Sequence, residues 1–312
     1  MALYMGLQLG GPAVSKRASN GIQASLTHHF VQIGPIVGGW IAQTINSWRW
    51  TFYVCAIATA VVLVIGIFLL PETYAPKLNQ TKTIPLSQML RTLGRPFILL
   101  GTQPIIQVLA AYAAIIFGTY YIFLTTVVGV FRDDYQQPVG IASLHYITLL
   151  LGFATSIAAS ATAMDALYRR LSKDHPSPEA RIPYLGASGT FLPIGLLLYG
   201  WTTEYTVFWF VPDIGLFFIG LGILAPLAAI QHYILDCCSS NGFAASALAA
   251  MNVARFLAGF GFPLFADELY DTLGLGWGNS LLALIATVVG CLSVSLWKFG
   301  PRLREMSSLT ET

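Results

Sequence analysis

The sequence predicts an all-α polytopic membrane protein with eight transmembrane helices, and three observations carry that reading. Only 10% of the 312 residues are charged, 55% are hydrophobic, and the mean hydropathy is +0.68. A soluble domain carries about 25% charged residues, so 16 Lys and Arg with 14 Asp and Glu cannot solvate a 33.8 kDa globule. Apolar runs recur at the length a bilayer demands, about 20 residues each. The basic residues between those runs fall mainly on one side when the chain is threaded back and forth.

The runs are taken in order. The first covers 21–45. The second covers 50–70 and closes at Pro71-Glu72. The third starts after Arg95-Pro96 and ends near residue 124. The remaining five cover 139–164, 183–201, 208–235, 243–266 and 277–299, with Asp213 near the start of the sixth and Arg255 inside the seventh. Residues 1–14 are apolar but too short to span, and without a basic leader they do not read as a signal peptide. The expected segments are a remnant or cytosolic N-terminal stretch (1–20), two helices (21–71) and a central cytosolic loop (72–95). A six-helix unit (96–300) and a cytosolic tail (301–312) follow.

With eight spans both termini share a side. Placing them in the cytosol puts thirteen of the sixteen Lys and Arg there, two outside (Arg49, Arg132) and Arg255 within a span. Asp133, Asp134, Glu204, Asp267, Glu268 and Asp271 fall on the outer side. The sequon Asn79-Gln80-Thr81 lies in the largest cytosolic loop and is expected to be unmodified.

Composition and motifs exclude several functions. Intrinsic disorder needs low hydrophobicity, and a net charge of +2 is too small to suggest nucleic acid. The spacing of Cys55, Cys237, Cys238 and Cys291 fits neither a disulfide framework nor a zinc site. There is no HExxH, no GxSxG and no paired carboxylates within a span, so an enzyme is not expected. No cofactor or metal is expected either.

The first span contains Gly34-Pro35-Ile36-Val37-Gly38-Gly39. Proline removes a backbone donor and bends the helix, and glycines let a neighbouring helix approach. That is a kinked packing helix on its own terms. Its context adds Trp48-Arg49-Trp50-Thr51-Phe52 and Leu70-Pro71-Glu72-Thr73-Tyr74-Ala75-Pro76. Further on come Arg95-Pro96-Phe97, Arg181-Ile182-Pro183, Pro193-Ile194-Gly195, Tyr199-Gly200-Trp201, Ala244-Ala245-Ser246-Ala247 and Phe262-Pro263-Leu264-Phe265. Over about residues 30 to 304 the chain resembles the major facilitator superfamily, in particular fungal multidrug transporters of the drug:proton antiporter type.

The resemblance matches the eight spans to helices five to twelve of that fold and leaves the first four without counterparts. It makes Gly34, Pro35, Gly38 and Gly39 the helix-packing antiporter motif. It implies a secondary transporter that exports drugs or secondary metabolites in exchange for protons, at the plasma membrane. Its expected partners are a small hydrophobic or amphipathic substrate, protons and the lipid bilayer. A truncated, non-transporting remnant is the alternative reading.

Candidate site residues follow from polarity within the spans. Arg255 lies mid-span, where a charge costs about 2.5–3.5 kcal/mol on insertion scales and must find partners. It is either a cavity residue or a structural arginine, with Asn252 one turn away on the same face. Gln103, Gln107 and Tyr121 share a face of the third span and are either cavity wall or helix–helix hydrogen-bonding groups. His145 is either a cavity or proton-relay residue or a packed polar group. By analogy with the family's early cytosolic signature, Asp165, Arg169 and Arg170 are cytosolic gate candidates, positive-inside anchoring being the other reading of the arginines.

Overall fold

A computed structural model describes residues 34–45, 47, 49–69, 86–172, 177–238 and 243–306. Every regular element among them is helical, as composition and run length require in a bilayer, where only helices and closed barrels satisfy their own backbones. Helix α1 (residues 34–45) is followed by α2 (Arg49–Leu69), α3 (Leu86–Thr102) and α4 (Pro104–Asp133). Next come α5 (Val139–Leu144) and α6 (Tyr146–Ala159), a π-helical turn (Ser160–Met164) and α7 (Asp165–Leu171). A 3-10 turn (Pro178–Arg181) leads into α8 (Ile182–Gly189) and α9 (Phe191–Glu204). The described chain closes with α10 (Phe210–Cys238), α11 (Ala244–Leu264) and α12 (Ala266–Met306).

Among the described residues six segments are long and apolar enough to cross a membrane: Pro104–Asp133, Val139–Leu171, Pro178–Glu204, Phe210–Cys238, Ala244–Leu264 and Ala266–Leu303. They correspond to the third through eighth expected spans. The second is α2, and the first is described from residue 34 only. The 1–20 segment, His28 and His29 of the first span, most of the 72–95 loop and the Asn79 sequon lie outside the described residues.

Boundaries move where backbone chemistry overrides apolar run length. The third span begins at Pro104, because Gln103 is extended (φ −107°, ψ 104°) and Pro104 takes the first helical turn, where its missing N–H costs nothing. Arg95 and Pro96 belong instead to α3, which starts inside the stretch expected to be loop. Its polar and apolar residues alternate at helical spacing, so a search for apolar runs passes over it. The fourth span runs from Val139 to Leu171, interrupted at His145 and through the π turn. In α12 the helix kinks at Gly274, whose φ of 75° strains any residue with a Cβ.

Helix α10 is the axis of the bundle. It packs on α6, α8, α9 and α11. A Cβ on Gly152 of α6 or Gly220 of α10 would stand 3.0 Å from the other's Cα, so these helices meet backbone to backbone. In the core Tyr112, Phe123, Tyr146 and Tyr199 are fully buried, and the Tyr146 hydroxyl donates to the Leu124 carbonyl at 2.8 Å. Thr203 and Ser160 turn their hydroxyls back to carbonyls of their own helix, which satisfies them without water. Leu257, Phe260 and Leu264 of α11, and Phe52 and Ile57 of α2, point outward, as lipid-facing residues do.

Candidate functional site

Four groups of residues carry chemistry, two of them adjoining each other at one end of the bundle. The first joins α1 to α5. A Cβ on Gly39 would stand 2.6 Å from both Cβ and Oγ of Ser143, so only glycine permits this approach. Beside it the Gly140 N–H donates to Gln43 Oε1 at 2.5 Å. Gly38 faces Thr51 of α2 at ordinary van der Waals distance, and a Cβ on Gly34 would meet nothing within 4 Å. Within the GPxxGG stretch, Gly39 is the position that holds a neighbouring span close.

The second group surrounds Arg255 of α11, which is buried. Its guanidinium carbon lies 4.5 Å from the centre of the Phe117 ring and 5.5 Å from that of Phe256. Both are cation–π distances. Phe117 in turn contacts Tyr120 (5.8 Å) and Tyr121 (5.1 Å), and Gly259 seats α11 against Tyr121. Asn252 is half-buried one turn from Arg255. The structure thus brings Arg255 and Tyr121 to one aromatic wall between α4 and α11. Gln103 and Gln107 lie elsewhere, at the α3–α4 break, with Gln107 about 15 Å along α4 from Phe117 at 1.5 Å per residue. Gln103 is buried, and Gln107 is exposed and donates through Nε2 to the Gly101 carbonyl at 3.0 Å.

The third group sits where α5 meets α6. His145 and Asp213 are both buried, and Nδ1 of His145 lies 2.7 Å from Oδ1 of Asp213 at the start of α10. Its Nε2 lies 2.9 Å from Gln137 Oε1. The Phe131 ring stacks on the imidazole at 3.5 Å, nearly parallel, and Trp209 approaches it edge-on at 6.0 Å. Just outside this group, burial and then the charges of Asp133 and Glu204 push the Asp134 carboxyl above its usual range. Burial, then Asp134 and Asp213, likewise raise the Tyr135 phenol.

The fourth group lies at the opposite end of α10. Arg181 Nε donates to Asp236 Oδ2 at 2.5 Å, and its Nη1 lies 4.0 Å from Asp165. The same guanidinium stacks over Tyr168 at 4.5 Å. Arg169 and Arg170 are exposed at the end of α7. Among the described residues the cation that approaches Asp165 is Arg181, brought from the start of the next span.

Residues 19–263 match the Major Facilitator Superfamily, which is more than half of the chain. The chain belongs to that superfamily. It is 38% identical to "Efflux pump radE" of Floropilus chiversii across 87% of this chain and 54% of the relative. It is 36% identical to "MFS-type transporter oryF" of Aspergillus oryzae, across 89% and 62%. It is also 36% identical to "Efflux pump vrtL" of Penicillium aethiopicum, across 86% and 58%. The chain thus spans roughly three fifths of the length of these superfamily relatives. Membership and the apolar helices make it an integral membrane protein, and the relatives' names point to transport rather than catalysis.

Within this superfamily member, sequence reasoning missed two partners. Arg181 was legible only as one loop arginine among several; the signal was its place beside Ile182-Pro183, at a helix start. Asp213 was visible as an intramembrane acid, but no local pattern ties it to His145, 68 residues away.

Proposed function

We propose that this chain is part of a secondary transporter that moves small hydrophobic or amphipathic molecules out of the cell in exchange for protons. The observation that carries this reading is Arg255, buried within a membrane span and held over Phe117 and Phe256. A charge at that depth marks a substrate or ion path by default, and the aromatic wall beside it offers flat apolar surface to a lipophilic ligand. The superfamily's binding sites lie near the midplane between its two halves. Arg255, Asn252 and Tyr121 line that path, with Gln103 and Gln107 nearer one mouth. Asp165, Arg181 and Asp236 form the cytosolic gate, while Arg169 and Arg170 anchor the interface. Names of relatives that are efflux pumps support export. The distribution of basic residues supports cytosolic termini, and the plasma membrane is the compartment that suits an exporter.

The test is proton-gradient-driven flux of lipophilic dyes, anionic and neutral, in proteoliposomes holding the purified protein. The parent protein carries flux that Arg255→Ala reduces about tenfold for anionic dyes, the loss expected for one well-placed charged contact of about 1.4 kcal/mol. Equal flux in parent and variant removes Arg255 from the path. No gradient-dependent flux with any dye defeats the transport reading.

A further inference from the structure

We propose that His145 is a proton-binding site, with Asp213 and Gln137 as the groups that hold the bound proton in place. The argument starts from the buried pair: Nδ1 of His145 lies 2.7 Å from Asp213 Oδ1. Nε2 lies 2.9 Å from the side-chain amide of Gln137, whose oxygen accepts from the imidazolium and whose NH₂, after a turn, serves the neutral ring. The protonated ring donates to both partners at once. It also neutralises a carboxylate that is 5% exposed, which would otherwise be a costly buried charge. Release of the proton returns the pair to a net charge of −1. It also forces Gln137 to turn its amide, so that the NH₂ meets the bare nitrogen, or to withdraw.

The surroundings isolate this exchange. From α4, Phe131 covers one ring face, and Arg132 and Asp133 are exposed and bonded to each other. Asp134 and Tyr135 follow on the same side, and the Tyr135 hydroxyl donates to the Thr202 carbonyl at 3.4 Å. From α9, Glu204 acts on Asp134. Ahead of α10 stands Trp209, and α10 itself contributes Asp213.

The site also has a mechanical output. His145 is the break between α5 and α6, and Gln137 precedes Pro138, the cap of α5. The six-residue α5 carries Gly140 and Ser143, which lie against Gln43 and Gly39 of α1. A proton bound at one end of α5 therefore bears on the contact that α5 makes with α1.

The proton site stands on these contacts alone, while its coupling to flux rests on the transport reading above; the experiment separates the two. The protein is labelled with ¹⁵N-histidine, placed in lipid nanodiscs and titrated between about pH 5 and pH 8. His145→Gln assigns the His145 signals. The expected result is two imidazolium-type ring nitrogens at His145 in the parent protein. In Asp213→Asn those signals are lost or weakened, because the imidazolium has lost its counter-charge. A singly protonated ring throughout the titration overturns the proposal, as does a titration unmoved by Asp213→Asn. Should that variant fail to fold, Gln137→Met keeps the ion pair and removes the second acceptor, and an unchanged titration there is equally fatal. If the parent protein shows the imidazolium and no gradient-driven dye flux, the transport reading fails and the proton site remains.

Discussion

Helix α10 carries an aspartate near each end, and the two are tied down by different chemistry. Asp213 and Asp236 are separated by about 34 Å of helix, close to the thickness of a hydrocarbon core. Asp236 is bound by Arg181 at the start of the preceding span, and Asp213 by His145 at a break in another. Arginine holds its proton under all physiological conditions, whereas histidine exchanges one. The Arg181 tie is also partly wet, since the Asp236 side chain is 34% exposed, while the Asp213 side chain is 8% exposed. One helix is thus pinned at one end by a permanent charge and at the other by a titratable one. Only the titratable end adjoins the Gly39–Ser143 contact.

The largest expected effect comes from breaking the permanent tie. Arg181→Ala leaves the Asp165 and Asp236 carboxylates facing each other across a lost cation. The loss should be about 2–3 kcal/mol of unfolding stability in detergent, below the 3–5 of a fully buried pair because Asp236 is partly solvated. Arg181→His sharpens the contrast by making this end titratable as well. Its loss should be small in acid and grow towards the alanine value as the imidazole deprotonates. A pH-flat loss in Arg181→His would show that charge is not what the tie supplies.

The next effect tests the close approach beside the titratable end. Gly39→Ala places a methyl group 2.6 Å from Ser143 and should cost about 1–2 kcal/mol by overpacking. Ser143→Gly in the same protein should recover most of that loss, and Ser143→Ala should not, because its Cβ remains. Failure of the glycine rescue, read by thermal unfolding, would mean that α1 does not rest on α5 at this point.

The smallest effect concerns the acidic rim. Asp134 has a raised pKa, so its charged form is disfavoured in the folded protein. The favourable contribution is present in acid and is lost as pH rises through the raised value. Asp134→Asn removes that penalty. It should stabilise the protein at pH 7 by less than about 0.5 kcal/mol, since the group is mostly exposed, and by nothing measurable near pH 4. Destabilisation at pH 7 would show that the carboxylate has a favourable partner.

Much of this architecture was legible in the amino-acid order. Apolar length marks a span because hydrocarbon offers no other partner for backbone polar groups, and Arg255 stood out because charge at that depth is costly. The GPxxGG stretch announced close packing for a steric reason that needs no neighbour to be named. What remained hidden was pairing. His145 and Asp213 were each visible as polar residues in apolar runs, yet nothing along the chain says that one faces the other. Arg169 and Arg170 were grouped with Asp165 by analogy with the family's early cytosolic signature, but both are exposed at the end of α7, while Arg181 reaches Asp165 from the next segment.

The sequence by itself determined that this chain is helical, crosses a bilayer and resembles a transporter, because those properties are sums over local composition and spacing. The tertiary structure decided which ion pairs form, that Gly39 rather than Gly34 makes the close contact, and that both nitrogens of His145 meet acceptors. Each of those depends on distances between helices far apart along the chain, and such distances are set only when the helices pack.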